Sequence, residues 1–299
     1  MTLLELIESG AQQLTDAKVS FGHGTTNAKD EAAWLVLWSL GLPLDTPLDG
    51  EDSKANEAVA PPDAHRTAII LEARINTRKP AAYLTQEAWL QGVAFYVDER
   101  AIVPRSLIAE LIVDGSIDYW LKKTTHTVLD LCTGNGSLAV IAALTYPDVV
   151  VTGSDLSADA LAVARINVDK HGLQERITLV TSDGLTAPDL AARGPFDLIL
   201  CNPPYVNAQS MSELPAEYKA EPVMALSGNQ AGGSDGMDFI RTLLKDAPQH
   251  MSEDGVLVLE IGNERPYFES AFPALEVVWL ETSAGEDQVL LVTKEALLL

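Results

Sequence analysis

Apolar residues recur at two different spacings along this 299-residue chain, and the change between them falls near residue 90. Up to that point the period is helical. Ala33, Trp34, Leu37 and Trp38 return every three to four residues after Asn27-Ala28-Lys29-Asp30, an N-cap with a carboxylate three positions on, and Gly41 with Pro43 close the element. Residues 61–78 repeat the pattern and Pro80 stops it. Residues 46–62 between them are acidic, proline-containing and without period, which suits a surface connection. Trp34 and Trp38 are expected in the core. From Gly92 the pattern alternates: Val93, Phe95 and Val97 share a face, and Ala101-Ile102-Val103 follow Asp98-Glu99-Arg100, so a short hairpin is predicted here.

Beyond residue 125, apolar strands alternate with helical stretches, the pattern of a parallel sheet with helices on both faces. Strands are predicted at 128–131, 149–154, 177–181, 198–201 and 256–261. Two more lie at 275–280 and 289–293 around a turn at Gly285, and so short a connection makes that pair antiparallel. The fold class is α/β: a seven-stranded, doubly wound Rossmann-like domain over 123–299, a small N-terminal helical domain over 1–91, and a hairpin and linker over 92–122. A ligand belongs at the carboxyl ends of the strands, near the topological switch.

Composition narrows the function classes. Hydrophobic residues make up 47% of the chain, enough for a sizeable core, yet no apolar run reaches the roughly 18 residues a membrane span needs. The N-terminus lacks the basic segment and cleavage site of a secretory signal, so a cytoplasmic protein is expected. Forty-three acids against 20 bases give a formal net charge of -23, which repels polyphosphates and favours a basic partner; no stable nucleic-acid binding is expected. Two cysteines, Cys132 and Cys201, make neither a disulfide framework nor a zinc cluster, and no metal is expected. They follow neighbouring strands and are read as small buried residues, not as a redox pair. A homodimer is left open.

The first strand of the sheet ends in Asp130-Leu131 and passes through Cys132-Thr133-Gly134-Asn135-Gly136 into a helix. Gly134-x-Gly136-x-x-Ala139 also fits a dinucleotide fingerprint in its alanine form. Asp130 separates the readings: a carboxylate before the glycines repels a pyrophosphate and attracts a sulfonium with its amino group. Asp155 ends the second strand, where a carboxylate can accept both ribose hydroxyls, and Asp183 follows the third, where it can accept from the exocyclic amine of adenine. Helix N-capping is the competing role for each of the three.

The fourth strand runs directly into Asn202-Pro203-Pro204-Tyr205. Two prolines fix φ twice and remove two donors, leaving a stiff edge of carbonyl acceptors. An amide or exocyclic amine is a weak nucleophile whose N–H groups must be gripped and whose nitrogen must be aimed. The Asn202 side-chain oxygen and the Pro203 carbonyl can accept those hydrogens, and the Tyr205 ring offers a flat wall.

Together these segments resemble the protein N5-glutamine methyltransferases related to the HemK group, over nearly all of the chain after Lys79. Arg78-Lys79-Pro80, Tyr83-Leu84-Thr85, Phe95-Tyr96-Val97, Val103-Pro104-Arg105-Ser106, the glycine loop and Asn-Pro-Pro-Tyr stand in the family's order. Release-factor enzymes of that family continue Pro-Arg with Pro-Glu-Thr-Glu. Here Ser106-Leu107-Ile108-Ala109-Glu110-Leu111 follows instead, and with Val258-Leu259-Glu260-Ile261-Gly262-Asn263-Glu264-Arg265-Pro266 it resembles the branch acting on the third large-subunit ribosomal protein. The resemblance implies a class I methyltransferase sheet, S-adenosylmethionine as cofactor, and a helical domain that recognises substrate. It implies cofactor contacts at residues 132–136, Asp155 and Asn202, and a glutamine held by Asn202, Pro203, Pro204 and Tyr205. A release factor, or adenine in nucleic acid, is the alternative substrate. Two departures stand out: residues 227–236 are longer than the family's glycine turn, and Gly184 occupies a position that is a bulky aromatic in release-factor enzymes.

Overall fold

Thr2 opens the first helix with a reciprocal cap: its hydroxyl accepts the Glu5 amide at 3.2 Å while the Glu5 carboxylate accepts the Thr2 amide at 2.8 Å. The computed structural model describes residues 1–299, and the backbone divides into two units, Met1–Ala88 with Pro215–Ala220, and Trp89–Leu214 with Glu221–Leu299. The first unit holds α1 (Leu3–Asp16), α2 (Ala28–Ser39), α3 (Pro61–Thr77) and α4 (Ala81–Thr85). Asn27 caps α2 by accepting the Asp30 amide at 3.0 Å, and α3 ends at Arg78, which turns left-handed at φ 58°. Leu6, Ile7 and Leu14 of α1, Leu35 to Leu37 of α2, and Leu71 of α3 form its core. Trp34 joins them, but Trp38 is 40% exposed, contrary to expectation. Burial of α2 takes in four consecutive residues, Trp34 to Leu37, on most sides of the helix, and ends in its last turn, where Trp38 stands.

Residues 215–220 belong to this helical unit because of a buried charge network. Arg74 is fully buried and places Nε 2.8 Å from Glu31 and Nη1 3.5 Å from Glu217. Glu217 also accepts the Ser20 amide at 3.2 Å, and Tyr218 sets its ring 4.3 Å from that of His23. Pairing offsets the cost of taking these charges out of water.

From the last residue of the first unit's main stretch onward, β1 (Ala88–Leu90) and β2 (Val93–Phe95) form a two-stranded ribbon. The hairpin lies upstream of the expected one. Gln91 and Gly92 both take positive φ, 49° and 74°, which makes a two-residue turn suited to strand twist. The expected partner strand at 101–103 does not form, and the Val103 amide donates to the Glu221 carboxylate instead, at 2.9 Å. After α5 (Ile108–Val113) the chain alternates through β3 (Thr127–Leu131), α6 (Ser137–Thr145), β4 (Val150–Asp155), α7 (Ala158–Lys170), β5 (Ile177–Thr181), α8 (Pro188–Ala191) and β6 (Phe196–Cys201). Then come α9 (Ala208–Glu213), α10 (Asp238–Asp246), β7 (Met251–Glu260), α11 (Arg265–Ala271), β8 (Val278–Thr282), β9 (Gly285–Thr293) and α12 (Lys294–Leu297).

The seven-stranded sheet has the order β5-β4-β3-β6-β7-β9-β8, with β3 to β7 parallel and β9 antiparallel to both neighbours. The strand expected at 275–280 begins later, because pairing starts only at Val278 opposite Leu291. Side chains alternate between the faces: Val128, Leu198 and Val256 pack with α6, and Leu129, Ile199 and Leu257 pack with α10. Strand order reverses between β3 and β6, so the residues after Leu131 and Cys201 emerge side by side at the switch.

Candidate active site

The turn after β3 is rigid because its polar groups are already bonded. Cys132, Gly134 and Gly136 take positive φ of 61°, 55° and 80° before α6 begins. Asn135 is buried; its side chain donates to the Ile102 carbonyl at 2.7 Å and accepts the Ser137 amide at 2.9 Å. Asp155 Oδ2 accepts the Gly134 amide at 2.9 Å, and Oδ1 accepts the Ser157 amide at 2.8 Å as α7 starts. Burial pushes the Asp155 carboxyl above its ordinary value, against the pull of those amides.

Asp130 lies beneath the turn instead of on the cleft wall. Its Oδ2 accepts the Ala139 amide at 2.9 Å and the Thr133 hydroxyl, whereas Oδ1 is buried with no hydrogen-bond partner. Burial pushes this carboxyl up to about 7, with Thr133 and Ala139 pulling the other way. An orphaned, ionisable oxygen next to the turn fits a cationic group better than a phosphate.

A cleft runs along the strand ends. Of the residues singled out in the sequence, Cys132, Gly134, Asp155, Asp183, Asn202 and Pro204 line it. Asp130, Thr133, Asn135, Gly136, Pro203 and Tyr205 stand outside that lining. Cys132 is only partly buried, unlike Cys201, whose thiol is pushed well above its ordinary range by burial and by the neighbouring Cys132. Asn202 is half-buried on the wall, and no group of the protein hydrogen-bonds its side chain.

The tetrapeptide is braced from behind. Val206 accepts the Gly228 amide at 3.1 Å and donates to the Leu226 carbonyl at 2.9 Å, while Ala208 donates to Ser234 at 3.0 Å. Gly236 packs so closely that a Cβ there would lie 2.0 Å from the Tyr205 carbonyl oxygen. The long glycine segment is therefore a backing strip for Tyr205 and the residues that follow it. On the other side, the Glu264 carboxylate accepts from the buried Asn207 side chain at 2.8 Å through both oxygens, and the Tyr205 ring lies against Gly262.

Arg100, Leu156, Met224 and Phe239 also line the cleft and were not singled out in the sequence. Phe239, on the first turn of α10, faces Gly184: a Cβ on that glycine would lie 3.7 Å from Phe239 Cε2. An aromatic wall thus stands beside Gly184 although it comes from a distant helix. Only the compositional oddity of Gly184 hinted at it.

Residues 117–217 match the family model described as "Methyltransferase small domain". The chain is 50% identical over 299 residues to the ribosomal protein uL3 glutamine methyltransferase of Burkholderia pseudomallei, covering 97% of this chain and 94% of that protein. Identity is 49% to the protein of the same name from Bordetella pertussis, with 99% and 96% covered, and 44% to that of Neisseria meningitidis serogroup B, with 99% and 94% covered. Among solved structures, the hMettl16 catalytic domain in complex with MAT2A 3'UTR hairpin 1 superposes with a TM-score of 0.53 at 13% identity, covering 82% of this chain and 84% of that one. At that identity the likeness speaks for the class I methyltransferase fold alone. No helix is long and apolar enough to cross a membrane.

Proposed function

This chain belongs to the family of ribosomal protein uL3 glutamine methyltransferases, and on that footing we propose that it methylates the side-chain amide nitrogen of a glutamine in uL3, with S-adenosylmethionine as cofactor. One observation supports the site assignment above the rest: the Asn202 side chain stands at the end of β6, on the cleft wall, with no bond to the protein. An amide on the cleft wall that no protein group bonds is available to accept from a ligand.

Asn202 Oδ1 and the Pro203 carbonyl take the two hydrogens of the substrate amide, and the nitrogen is thereby turned into the cleft. The Tyr205 ring, which lies against Gly262, flanks the planar group. Asp155 holds the ribose hydroxyls, Asp183 the adenine amine, and the buried Asp130 answers the cationic amino-acid end, with Cys132 and Gly134 shaping the surface between and Thr133, Asn135 and Gly136 holding the turn behind them. The bound cofactor supplies an electrophilic methyl on a sulfonium. Positioning is the main contribution of the protein, an effect worth up to roughly 7 to 11 kcal/mol. A methylated amide sheds its extra proton readily, so no tuned base is needed.

A formal charge of -23 suits a basic ribosomal protein and disfavours stable binding of nucleic acid. The N-terminal helical domain, residues 1–91, recognises that substrate, and the reaction takes place in the cytoplasm. Radiolabelled cofactor added with the protein to a lysate from a strain lacking the enzyme tests this. Label is expected in one basic large-subunit polypeptide; label in RNA or in a release factor contradicts the reading.

A further inference from the structure

The amino-acid end of the cofactor carries a carboxylate as well as an ammonium, and a cleft that binds it has to answer both charges. Backbone amides at a helix start often bind anions. Here five of those between Thr133 and Ala139 already donate within the protein. Thr133 donates to Ser154 O at 2.9 Å, Gly134 to Asp155 at 2.9 Å, Gly136 to Thr133 O at 2.8 Å, Ser137 to Asn135 at 2.9 Å and Ala139 to Asp130 at 2.9 Å. Few amides of the turn are left for an anion.

The charged side chains in the cleft lining are Asp155, Asp183 and Arg100, and Arg100 is the one cation among them. It is fixed in place. Nε lies 2.9 and 3.1 Å from the two oxygens of Asp98 and Nη2 lies 2.6 Å from Oδ2, while the Tyr96 hydroxyl donates to the same carboxylate at 2.7 Å. Hydrogen bonds to Arg100 and Tyr96 hold the Asp98 carboxyl down at about 2, so the pair stays ionised at working pH. The Tyr96 backbone is tied in turn to Asn167, which donates to the Asn135 carbonyl at 2.8 Å. One framework therefore sets Arg100 and the glycine turn together. Nη1 takes no part in the Asp98 pair, and the Arg100 side chain is 39% exposed.

We infer that Arg100 binds the α-carboxylate of the cofactor's methionine portion, through the edge of its guanidinium that Asp98 leaves uncovered. A planar fork locked by one carboxylate is preorganised for a second. The inference rests on the cofactor reading above, and the two can fail separately.

Isothermal calorimetry with two ligands separates them. S-adenosylhomocysteine carries the amino-acid end; 5′-methylthioadenosine has the same adenine, ribose and sulfur but ends in a methyl. Wild-type protein is expected to bind the former more tightly, and failure to bind it would overturn the cofactor reading and this inference with it. Arg100→Gln is expected to weaken S-adenosylhomocysteine at least tenfold and methylthioadenosine less than twofold. Arg100→Lys, which keeps the charge and loses the fork, should fall between. Equal losses for both ligands, or unchanged S-adenosylhomocysteine affinity in a folded Arg100→Gln protein, overturn the assignment while leaving the cofactor reading intact.

Discussion

The Asp155 carboxylate accepts the Gly134 amide at 2.9 Å, so the end of β4 holds the turn that leaves β3. The same side chain fixes the start of α7 through Ser157. Asp155→Ala removes a ligand acceptor and leaves two backbone donors without their partner. Cofactor affinity is expected to fall at least tenfold by calorimetry, and stability by about 1 to 3 kcal/mol in urea titration. Unchanged affinity would remove the ribose role.

Asp130 makes stability and binding depend on pH in opposite senses. Its folded carboxyl keeps a proton up to about 7, against an ordinary value of 3.8. Across that interval the folded state binds more protons than the unfolded, so the group's contribution to stability declines as pH rises. A cationic cofactor prefers the ionised form, so affinity should rise between pH 6 and 8. Asp130→Asn is expected to flatten both profiles, measured by thermal melts of the free protein and by calorimetry across that range.

Gly262 gives the Tyr205 ring its place. A Cβ there would lie 2.6 Å from Tyr205 Cε2, at a backbone φ of 53°. Gly262→Ala must displace the ring, while the cofactor cleft, which Tyr205 does not line, is left intact. Methyl transfer should slow at least tenfold with cofactor affinity changed less than twofold; a parallel loss of both would place Tyr205 against the cofactor.

Glu31 is the buried counter-charge of Arg74, 2.8 Å away. Burial raises its carboxyl above the ordinary value despite the pull of Arg74, so ionisation there is costly. Glu31→Leu would leave Arg74 with Glu217 at 3.5 Å as its remaining ion pair, and a loss of about 3 kcal/mol is expected in chemical denaturation. Arg74→Met combined with Glu31→Leu should recover much of it.

The sheet was legible because its information is local: apolar runs bounded by turn residues mark β3 to β7, and the residues closing or following β3, β4 and β5 include Asp130, Asp155 and Asp183. Asn202-Pro203-Pro204-Tyr205 was legible because four consecutive residues carry both the stiffness and the acceptors. Long-range pairing was not. Arg78 and Glu217 meet across 139 positions, and nothing near residue 217 signals that its segment joins the helical unit. Arg100 and Phe239 reach the cleft from outside the sheet, so their roles depend on packing that no local period encodes. The hairpin was misplaced because its turn puts a glutamine, Gln91, in the left-handed region, a position that sequence rules assign to glycine or asparagine.

Methyl transfer as proposed depends on an Asn202 side chain free to accept from a substrate amide. Asn202→Ala should therefore be assayed for single-turnover methyl transfer to purified uL3, with the modified glutamine read by peptide mass spectrometry and cofactor affinity measured on the same protein. A rate at least a hundredfold below wild type, with cofactor affinity within about threefold, is the predicted result. Transfer at the wild-type rate would show that the amide is gripped elsewhere.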